Sequence, residues 1–240
     1  MISRETQTLP SLSILDSFHE KCESNGLWYS LSGISLLNSK SKKKYSQNNL
    51  IEVMMPLEDY YKFNNLYKNN IYDSLIDNNY FFMCPFYFEE DNEVKIKINI
   101  LIPADTKKTE KFYTRKNYLR QQIGYYKSLK NFPNFSFKFK RIFYKTLGLF
   151  MSPLTWQEIS SNIFSEKYNG YFIVNSFKPN INENWLPSLT IKREEIKWFE
   201  TKTKILKEWN VFLIKKYGFD WENKPDFVKE SIYFNWKEKE

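Results

Sequence analysis

The sequence has few of the residue types from which several common catalytic and metal sites are built. A single histidine and two cysteines in 240 residues exclude a histidine-rich zinc site, and Cys22 and Cys84 lack any ligand spacing. A nucleophilic mechanism that needs a histidine would depend on His19, whose place in an amphipathic helical pattern indicates a structural role. Two cysteines give no disulfide framework, so we expect a reduced, cytoplasmic protein, with one disulfide as the alternative.

Long apolar runs are also missing. Residues 1–13 lack the apolar core of a signal peptide, and no apolar run approaches the roughly 18 residues of a transmembrane helix. No linker rich in Gly, Pro or Ser divides the chain, and no unit of about 20 to 50 residues recurs. The sequence therefore predicts a soluble protein with one domain, residues 1–240, that can still contact a membrane surface.

Basic and aromatic residues are abundant. The formal net charge is +8 and 19% of the residues are aromatic, which excludes a disordered tail. The many Lys, Asn, Ile, Tyr and Phe residues can equally reflect an AT-rich genome. Composition alone therefore does not favour a nucleic-acid partner, although a nucleic-acid-binding protein that uses this charge stays one of the hypotheses.

The first quarter of the chain alternates between helical and strand patterns. Apolar residues recur at helical spacing over residues 11–26, and Gly26 suits the left-handed position that follows a helix. Residues 27–31 and 50–53 follow as strands. Pro56 then marks the first turn of a further helix.

The remaining sequence predicts a mixed sheet and a mostly helical second half. Over residues 93–102, Val and Ile alternate with Lys, Asn and Leu, the period-2 pattern of a half-buried strand. We predict further helices over residues 71–78, 110–130, 135–154, 156–167 and 207–216, and further strands over residues 80–88, 170–177 and 196–199. The expected fold class is α/β (α+β), a mixed sheet flanked by helices.

The most informative stretch, residues 31–60, has the order of elements that a nucleotide-transfer site needs. Backbone N–H groups of the turn at Gly33, together with the Ser35 hydroxyl, can hold phosphate at the start of a helix. Acids spaced two apart on the following strand would share a metal ion, but only Glu52 of such a pair is present. The alternatives are an ordinary strand-to-helix turn for Gly33 and Ser35, and a polar residue at a strand end for Glu52.

Several motifs in register carry a resemblance to a known family. They read SGISLLN (32–38), a Lys-rich loop that contains Lys43, QNNLIEVM (47–54), MPLEDY (55–60), INILIPAD (98–105), Phe199-Glu200 and YGFDW (217–221). In this order and spacing the chain resembles the LicD family, which includes fukutin and the fukutin-related protein. The resemblance implies a nucleotidyltransferase-like fold, with its core at about residues 11–105 and helical and C-terminal elements at about 106–240.

The activity of that family gives the functional expectation. The resemblance implies transfer of phosphocholine or a polyol phosphate from a CDP-linked donor to a sugar of a surface glycan, in lipopolysaccharide or glycoprotein biosynthesis. Mg²⁺ or Mn²⁺ would assist the phosphoryl transfer. By this resemblance Glu52 and Asn99 are candidate catalytic residues, with Glu52 also the metal ligand. Gly33, Ser35 and Lys43 are candidate phosphate- and nucleotide-binding residues, with a solvated loop as the alternative for Lys43.

The acid positions of the family are occupied here mostly by neutral residues. Three consecutive aspartates correspond to Asn48, Asn49 and Leu50, the next one to Glu52, and the aspartate of the later strand to Asn99. Asparagine offers a neutral carbonyl oxygen and leucine offers none, so one carboxylate stands where several would hold the ion. We therefore expect weak metal binding or none, and a pseudoenzyme becomes a real alternative.

Three hypotheses follow for the function. The first is a divergent LicD-like transferase, and the second is a catalytically inactive protein of this fold that binds a nucleotide-sugar, a glycan or a protein partner. The third is a nucleic-acid-binding protein. The basic aromatic stretch from Phe135 to Lys145 predicts either a packed helix whose lysines lie over its rings, or peripheral contact with a membrane.

Overall fold

The computed structural model describes residues 10–42, 49–73, 84–90, 92–128, 135–174, 184–188 and 191–223 of the chain. These residues fall into two compact units. Unit 1 consists of the described residues within Met1–Tyr72, Pro85–Leu101 and Leu189–Asp226, and unit 2 of those within Asp73–Cys84, Ile102–Ser188 and Phe227–Glu240. Helices and a mixed sheet make up the described structure, which confirms the predicted α/β fold class.

Helices and strands are interspersed along the chain. The helices of the described residues are α1 (Pro10–Ser24), α2 (Gly33–Lys40), α3 (Leu57–Leu66), α4 (Thr106–Phe112), α5 (Arg115–Ser128), α6 (Phe135–Leu147), α7 (Trp156–Ile163) and α8 (Trp209–Tyr217), with a 3-10 turn at Lys68–Asn70. The strands are β1 (Ser30–Leu31), β2 (Leu50–Pro56), β3 (Ile71–Tyr72), β4 (Phe86–Tyr87), β5 (Lys95–Ala104), β6 (Gly170–Val174), β7 (Trp185–Pro187), β8 (Arg193–Trp198) and β9 (Thr201–Leu206).

The mixed sheet is built around β2 and β5. Its main order is β1-β2-β5-β4-β3, in which β2 and β5 are parallel and the other neighbours antiparallel. β6 pairs with β5 and β7 with β6, which brings the described strands of this sheet to seven. The parallel register aligns Glu52 with Lys97 and Met54 with Asn99, so these four side chains leave the same face of the sheet.

Strand β5 is buried on both faces. The isoleucines at 96, 98, 100 and 102 are fully buried, as their spacing predicts, but Lys97 and Asn99 on the other face are also buried, with 6% and 0% of their surface exposed. The prediction of a half-buried strand is therefore wrong. β5 has neighbours on both sides, and its polar side chains bond within the protein instead of facing water.

Most of the predicted elements of unit 1 are present with shifted bounds. Helix α1 is followed by Gly26 in the left-handed region (φ +63), as its pattern predicts. The predicted helix at residues 71–78 is wrong where it can be compared, because Ile71 and Tyr72 form β3, while residues 74–80 lie outside the described residues. The predicted strand at 196–199 overlaps β8, which forms an antiparallel hairpin with β9.

In unit 2, helices α4 to α7 precede strands β6 and β7. The single helix predicted at residues 110–130 is two helices, α4 and α5, separated at Tyr113 and Thr114. Helices α5 and α6 pack together, and the stacked rings of Tyr126 and Tyr144 lie 4.7 Å apart at their contact. Across the described part of the chain, no helix combines the length and apolar character that a bilayer span requires.

Candidate functional site

The predicted phosphate-binding turn and the predicted acid lie against each other in unit 1. Glu52 extends from β2 toward Gly33, the first residue of α2. A Cβ atom placed on Gly33 would lie 1.4 Å from Glu52 Oε2 and 2.6 Å from Glu52 Cδ. Gly33 also has φ +52, a left-handed conformation that other residues adopt only at a cost. Only glycine therefore fits between the start of α2 and this carboxylate.

The carboxylate of Glu52 acts as the N-terminal cap of α2. Ser32 precedes the helix but makes no side-chain cap hydrogen bond. The backbone N–H of Ile34 donates to Glu52 instead. The unpaired N–H groups and the positive end of the dipole make a helix N-terminus an anion-binding position. In this structure the bound anion is the chain's own carboxylate.

Two lysines add positive charge around this carboxylate. Lys97 Nζ lies 3.4 Å from Glu52 Oε1, and the two side chains are only 7% and 14% exposed. Burial raises the pKa of Glu52, but the charges of Lys97 and Lys216 and the hydrogen bonds from Lys97 and Ile34 outweigh it. The pKa of Glu52 therefore lies below its ordinary value, and one anion stands among two cations and a helix N-terminus.

Ser35 positions Glu52 through the backbone. Its hydroxyl group is fully buried, and its Oγ accepts a hydrogen bond of 2.8 Å from the backbone N–H of Glu52. This bond joins the first turn of α2 to the middle of β2. Ser35 therefore ties the two elements of the predicted site together, which the sequence interpretation did not assign to it.

Asn99 completes the group from the neighbouring strand. It is fully buried, and its Nδ2 donates to Ser32 Oγ at 3.3 Å. The backbone N–H of Ser32 in turn donates to the backbone carbonyl of Glu52 at 2.9 Å. The structure thus brings Gly33, Glu52 and Asn99 together, and it places Asn99 inside the protein, not on an outward-facing strand surface.

The remaining predicted positions precede β2. Lys43 and Asn48 lie outside the described residues. Asn49 is in the left-handed region (φ +56), which asparagine tolerates better than most residues, and its carbonyl accepts from the N–H of Lys95 at 3.1 Å. Leu50 is the first residue of β2. Asn49 and Leu50 therefore begin the strand pair that carries Glu52 and Lys97.

The donor set does not fit a two-metal centre. Within the ranges that the structure describes, no group of three or more His, Cys, Asp or Glu side chains could hold a metal ion. Glu52 already holds the Lys97 ammonium group and the start of α2. Mg²⁺ and Mn²⁺ are held chiefly by several anionic oxygens. A divalent ion here would have a single carboxylate and a neighbouring positive charge, so these residues do not fit the ion that the family resemblance implies.

Lys97 is the functional residue that the sequence interpretation missed. The alternation in β5 marked it only as polar. Glu52 is the third residue of β2 and Lys97 the third of β5, and their parallel pairing in register, which the sequence alone does not show, places opposite charges side by side. Lys216 gave no signal either, since it lies on α8 more than a hundred residues further along the chain.

The acidic turn near residue 89 has a structural role. The Glu89 carboxylate accepts hydrogen bonds of 2.5 Å from both Ser17 Oγ and the Tyr87 hydroxyl, and its Oε1 lies 3.2 Å from Lys21 Nζ. These bonds join α1 to the residues that follow β4. The carboxylate is therefore committed to the protein's own groups.

His19 and Glu58 are also structural. His19 Nδ1 lies 2.7 Å from the hydroxyl oxygen of Tyr29 within unit 1. Glu58 pairs with Lys62 at 2.8 Å on the surface of α3, whose first turn it occupies. The placement of His19 agrees with the structural role that the helical pattern indicated.

No protein-family model, curated protein or solved structure matches this chain. The fold and the geometry around Glu52 therefore carry the functional argument, together with the motifs that suggested it.

Proposed function

We propose that this chain is a LicD-like protein that binds a phosphate ester, a CDP-linked donor or a related cytidine nucleotide, at the start of α2. The observation that supports this proposal best is the position of the Glu52 carboxylate against Gly33, where Ile34 and Lys97 hold it. In this proposal the Glu52 carboxylate occupies the position that the phosphate group of a ligand would take. Phosphate carries more negative charge and more acceptor oxygens than a carboxylate, so it is a natural competitor for the position.

Binding would exchange one anion for another. The Glu52 side chain would rotate away from Gly33, and phosphate oxygens would accept from the N–H of Ile34 and contact Lys97 Nζ. The missing Cβ of Gly33 leaves room for this close approach. Lys97 and Lys216 would then supply the positive charge that a divalent ion supplies in metal-dependent enzymes. In this proposal the nucleotide binds without metal, and rapid group transfer is not part of the function.

Transfer of the phosphate-linked group to a glycan is the second candidate function. The adjacency of Glu52 and Asn99 to the turn at Gly33 favours it, because these are the positions that the resemblance assigns to catalysis. Two properties count against it. The pKa of Glu52 is lowered, which makes the carboxylate a weak general base, and the donor set does not fit two metal ions.

A glycan acceptor and a membrane surface are the further partners that we propose. Surface glycans are assembled on membrane-bound carriers, and the segment from Phe135 to Lys145 is the part of the chain that we propose for membrane contact. Nucleic acid is not a proposed partner, since the positive charges at Glu52 are arranged around one small anion.

Calorimetry and thermal-shift measurements with CTP, CDP-choline and CDP-ribitol test the proposal. We expect each nucleotide to stabilise the protein equally in EDTA and in Mn²⁺, with no release of CMP. Comparing Glu52→Gln with Glu52→Gln/Lys97→Met measures the contribution of Lys97 to nucleotide binding. Neither variant leaves a buried carboxylate unpaired. The double variant should bind about tenfold more weakly than the single variant, whereas the surface substitution Lys202→Met should change nothing.

Two results would decide between the candidates. Metal-dependent release of CMP from CDP-choline or CDP-ribitol would establish the transferase in place of the metal-free binder. Absence of binding by every cytidine nucleotide, with and without metal, would reject both.

A further inference from the structure

A group of large apolar side chains lies in solvent at the end of α6. Among the described residues, twelve large hydrophobic side chains are exposed, and five of them fall between residues 139 and 150. These five are Phe139 (65% exposed), Ile142 (64%), Phe143 (59%), Leu149 (79%) and Phe150 (85%). Single exposed apolar residues are ordinary, but several in one short segment indicate an interaction site. We refer to these five residues as the α6 surface.

Helix α6 is oriented with its apolar face outward. Phe139, Ile142 and Phe143 have the i, i+3, i+4 spacing of one helix face. Tyr144, which lies on the opposite side of the helix, stacks on Tyr126 of α5 with ring planes 5° apart. A helix that packs in the ordinary way buries its apolar face and exposes its polar one. In α6, by contrast, the apolar residues Phe139, Ile142 and Phe143 are exposed.

Lysines and aromatic rings of this helix are exposed together. Lys138, Lys140 and Lys145 are all exposed, and so are Phe139 and Phe143. The helix packs on α5 through Tyr144, yet Phe139 and Phe143 stay mostly exposed. An exposed apolar face and exposed lysines therefore occur on the same helix.

Acidic residues are missing from a long stretch of the sequence that contains the α6 surface. Residues 111–157 contain ten Lys and Arg and no Asp or Glu, so this segment alone is more positive than the whole chain, whose net charge is +8. A partner that binds here must therefore tolerate strong positive charge. An anionic partner gains from it.

The turn that carries Leu149 and Phe150 is held in place from α5. Arg120 donates from Nε to the carbonyl of Ser152 at 2.9 Å, and its Nη2 binds both carboxylate oxygens of Glu158 at 2.7 and 2.8 Å. Hydrogen bonds between charged groups are shorter and stronger than those between neutral groups. The exposed side chains of the turn are therefore presented from a fixed backbone.

We propose that the α6 surface docks on an anionic phospholipid membrane, with its apolar side chains in the interface and its lysines against the lipid head groups. Helices with aromatic and aliphatic residues on one face and lysines beside them bind in this way. The aliphatic residues Ile142 and Leu149 favour lipid over nucleic acid, because they cannot stack on bases as aromatic residues do. This inference rests on the membrane contact included in the proposed function, but not on the nucleotide site.

Co-sedimentation of the full chain with vesicles tests the inference. Vesicles of phosphatidylcholine alone are compared with vesicles that contain about 30 mol% phosphatidylserine, at about 0.1 and about 0.5 M NaCl. We expect binding to the phosphatidylserine vesicles at low salt and much less in the other conditions. Phe139→Ser/Phe143→Ser should lower the partition coefficient about tenfold, and Lys138→Gln/Lys140→Gln/Lys145→Gln at least about tenfold.

The matched control is Leu66→Ser/Phe219→Ser, which removes two exposed apolar side chains of unit 1 and should bind as the natural chain does. Circular dichroism should show all variants folded, because the altered residues are exposed.

Absence of binding to phosphatidylserine vesicles would overturn the inference, as would an equal loss of binding in the control variant. If vesicles are not bound, two further results would also overturn it. One is a dimer that the Phe139→Ser/Phe143→Ser variant no longer forms, and the other is a salt-sensitive complex with an oligonucleotide. None of these results affects CTP binding, so failure here is distinct from failure of the nucleotide site.

Discussion

The Glu52 carboxylate occupies the space into which a side chain at position 33 would project. Its Oε2 lies 1.4 Å from the place of a Cβ on Gly33. The turn and the acid are therefore not two separate elements that wait for a ligand. They contact each other directly, and each limits what the other position can hold.

Gly33→Ala should destabilise the protein strongly. The new methyl group would need the position of Glu52 Oε2, and alanine at φ +52 is strained. Because Glu52 would have to leave both the start of α2 and Lys97, we expect a loss of about 3 kcal/mol or more in the free energy of unfolding. Urea denaturation followed by circular dichroism measures it.

Gly26→Ala is the matched control for Gly33→Ala. Gly26 has a similar φ of +63, but no atom lies within 4 Å of its Cβ position. It should therefore lose only the conformational cost, about 1 kcal/mol. In a Glu52→Ala background, the loss of unfolding free energy caused by Gly33→Ala should fall to a similar value, because the obstructing carboxylate is gone. Equal effects of Gly33→Ala with and without Glu52 would contradict the contact.

Glu52→Gln should tighten nucleotide binding. The amide keeps the shape of the side chain but removes the negative charge that competes with phosphate for Ile34 and Lys97. We expect the dissociation constant for CTP to fall about tenfold in EDTA, which corresponds to about 1.4 kcal/mol. Titration calorimetry measures the change. An essential metal-binding role for Glu52 predicts the opposite result, namely weaker binding in Glu52→Gln.

Lys97→Met should change how stability depends on pH. In the natural chain the pKa of Glu52 is lowered, so its contribution to stability is present above the unfolded-state pKa and is lost as the pH falls through the folded-state pKa. Without Lys97 the largest opposing charge is gone and burial dominates, which raises the pKa of Glu52. The buried charge then costs stability above that pKa, and protonation relieves the cost as the pH falls.

We therefore expect Lys97→Met to lose about 2 kcal/mol at about pH 7 and much less near pH 4. Urea denaturation of both proteins across this pH range measures the difference. Glu52→Gln/Lys97→Met should remove most of its pH dependence, because the titrating group is absent. A difference that stays constant from pH 7 to pH 4 would show that Lys97 stabilises the fold by packing and not through Glu52.

The sequence predicted the neighbourhood of the site better than its chemistry. Gly33 and Glu52 were found because a strand-turn-helix order and a strand pattern are local properties of the chain. Lys97 was not found, because alternation in β5 predicts one exposed face. Only the sheet order shows that β5 is a central strand, and a polar face in that position must be paired inside the protein.

The β8–β9 hairpin was only partly predicted for a different physical reason. Its turn is formed by Phe199 and Glu200, and Phe199 adopts φ +54. Two-residue hairpin turns are usually signalled by Asn-Gly or a similar pair, which tolerates positive φ without cost. Trp198 and Thr201 are paired and both are buried. Their pairing stabilises a turn that the residues of the turn itself do not predict.

Arg120→Lys should weaken vesicle binding although Arg120 lies outside the α6 surface. Lysine keeps the charge but cannot bind both oxygens of Glu158 and the Ser152 carbonyl at once. The turn that presents Leu149 and Phe150 would then lose its fixed backbone, so binding should fall about threefold. Arg115→Lys, at the start of the same helix, is the control and should change little. Hydrogen exchange of residues 148–155 should rise in Arg120→Lys alone; if exchange rises while vesicle binding is unchanged, preorganisation of this turn does not contribute to membrane docking.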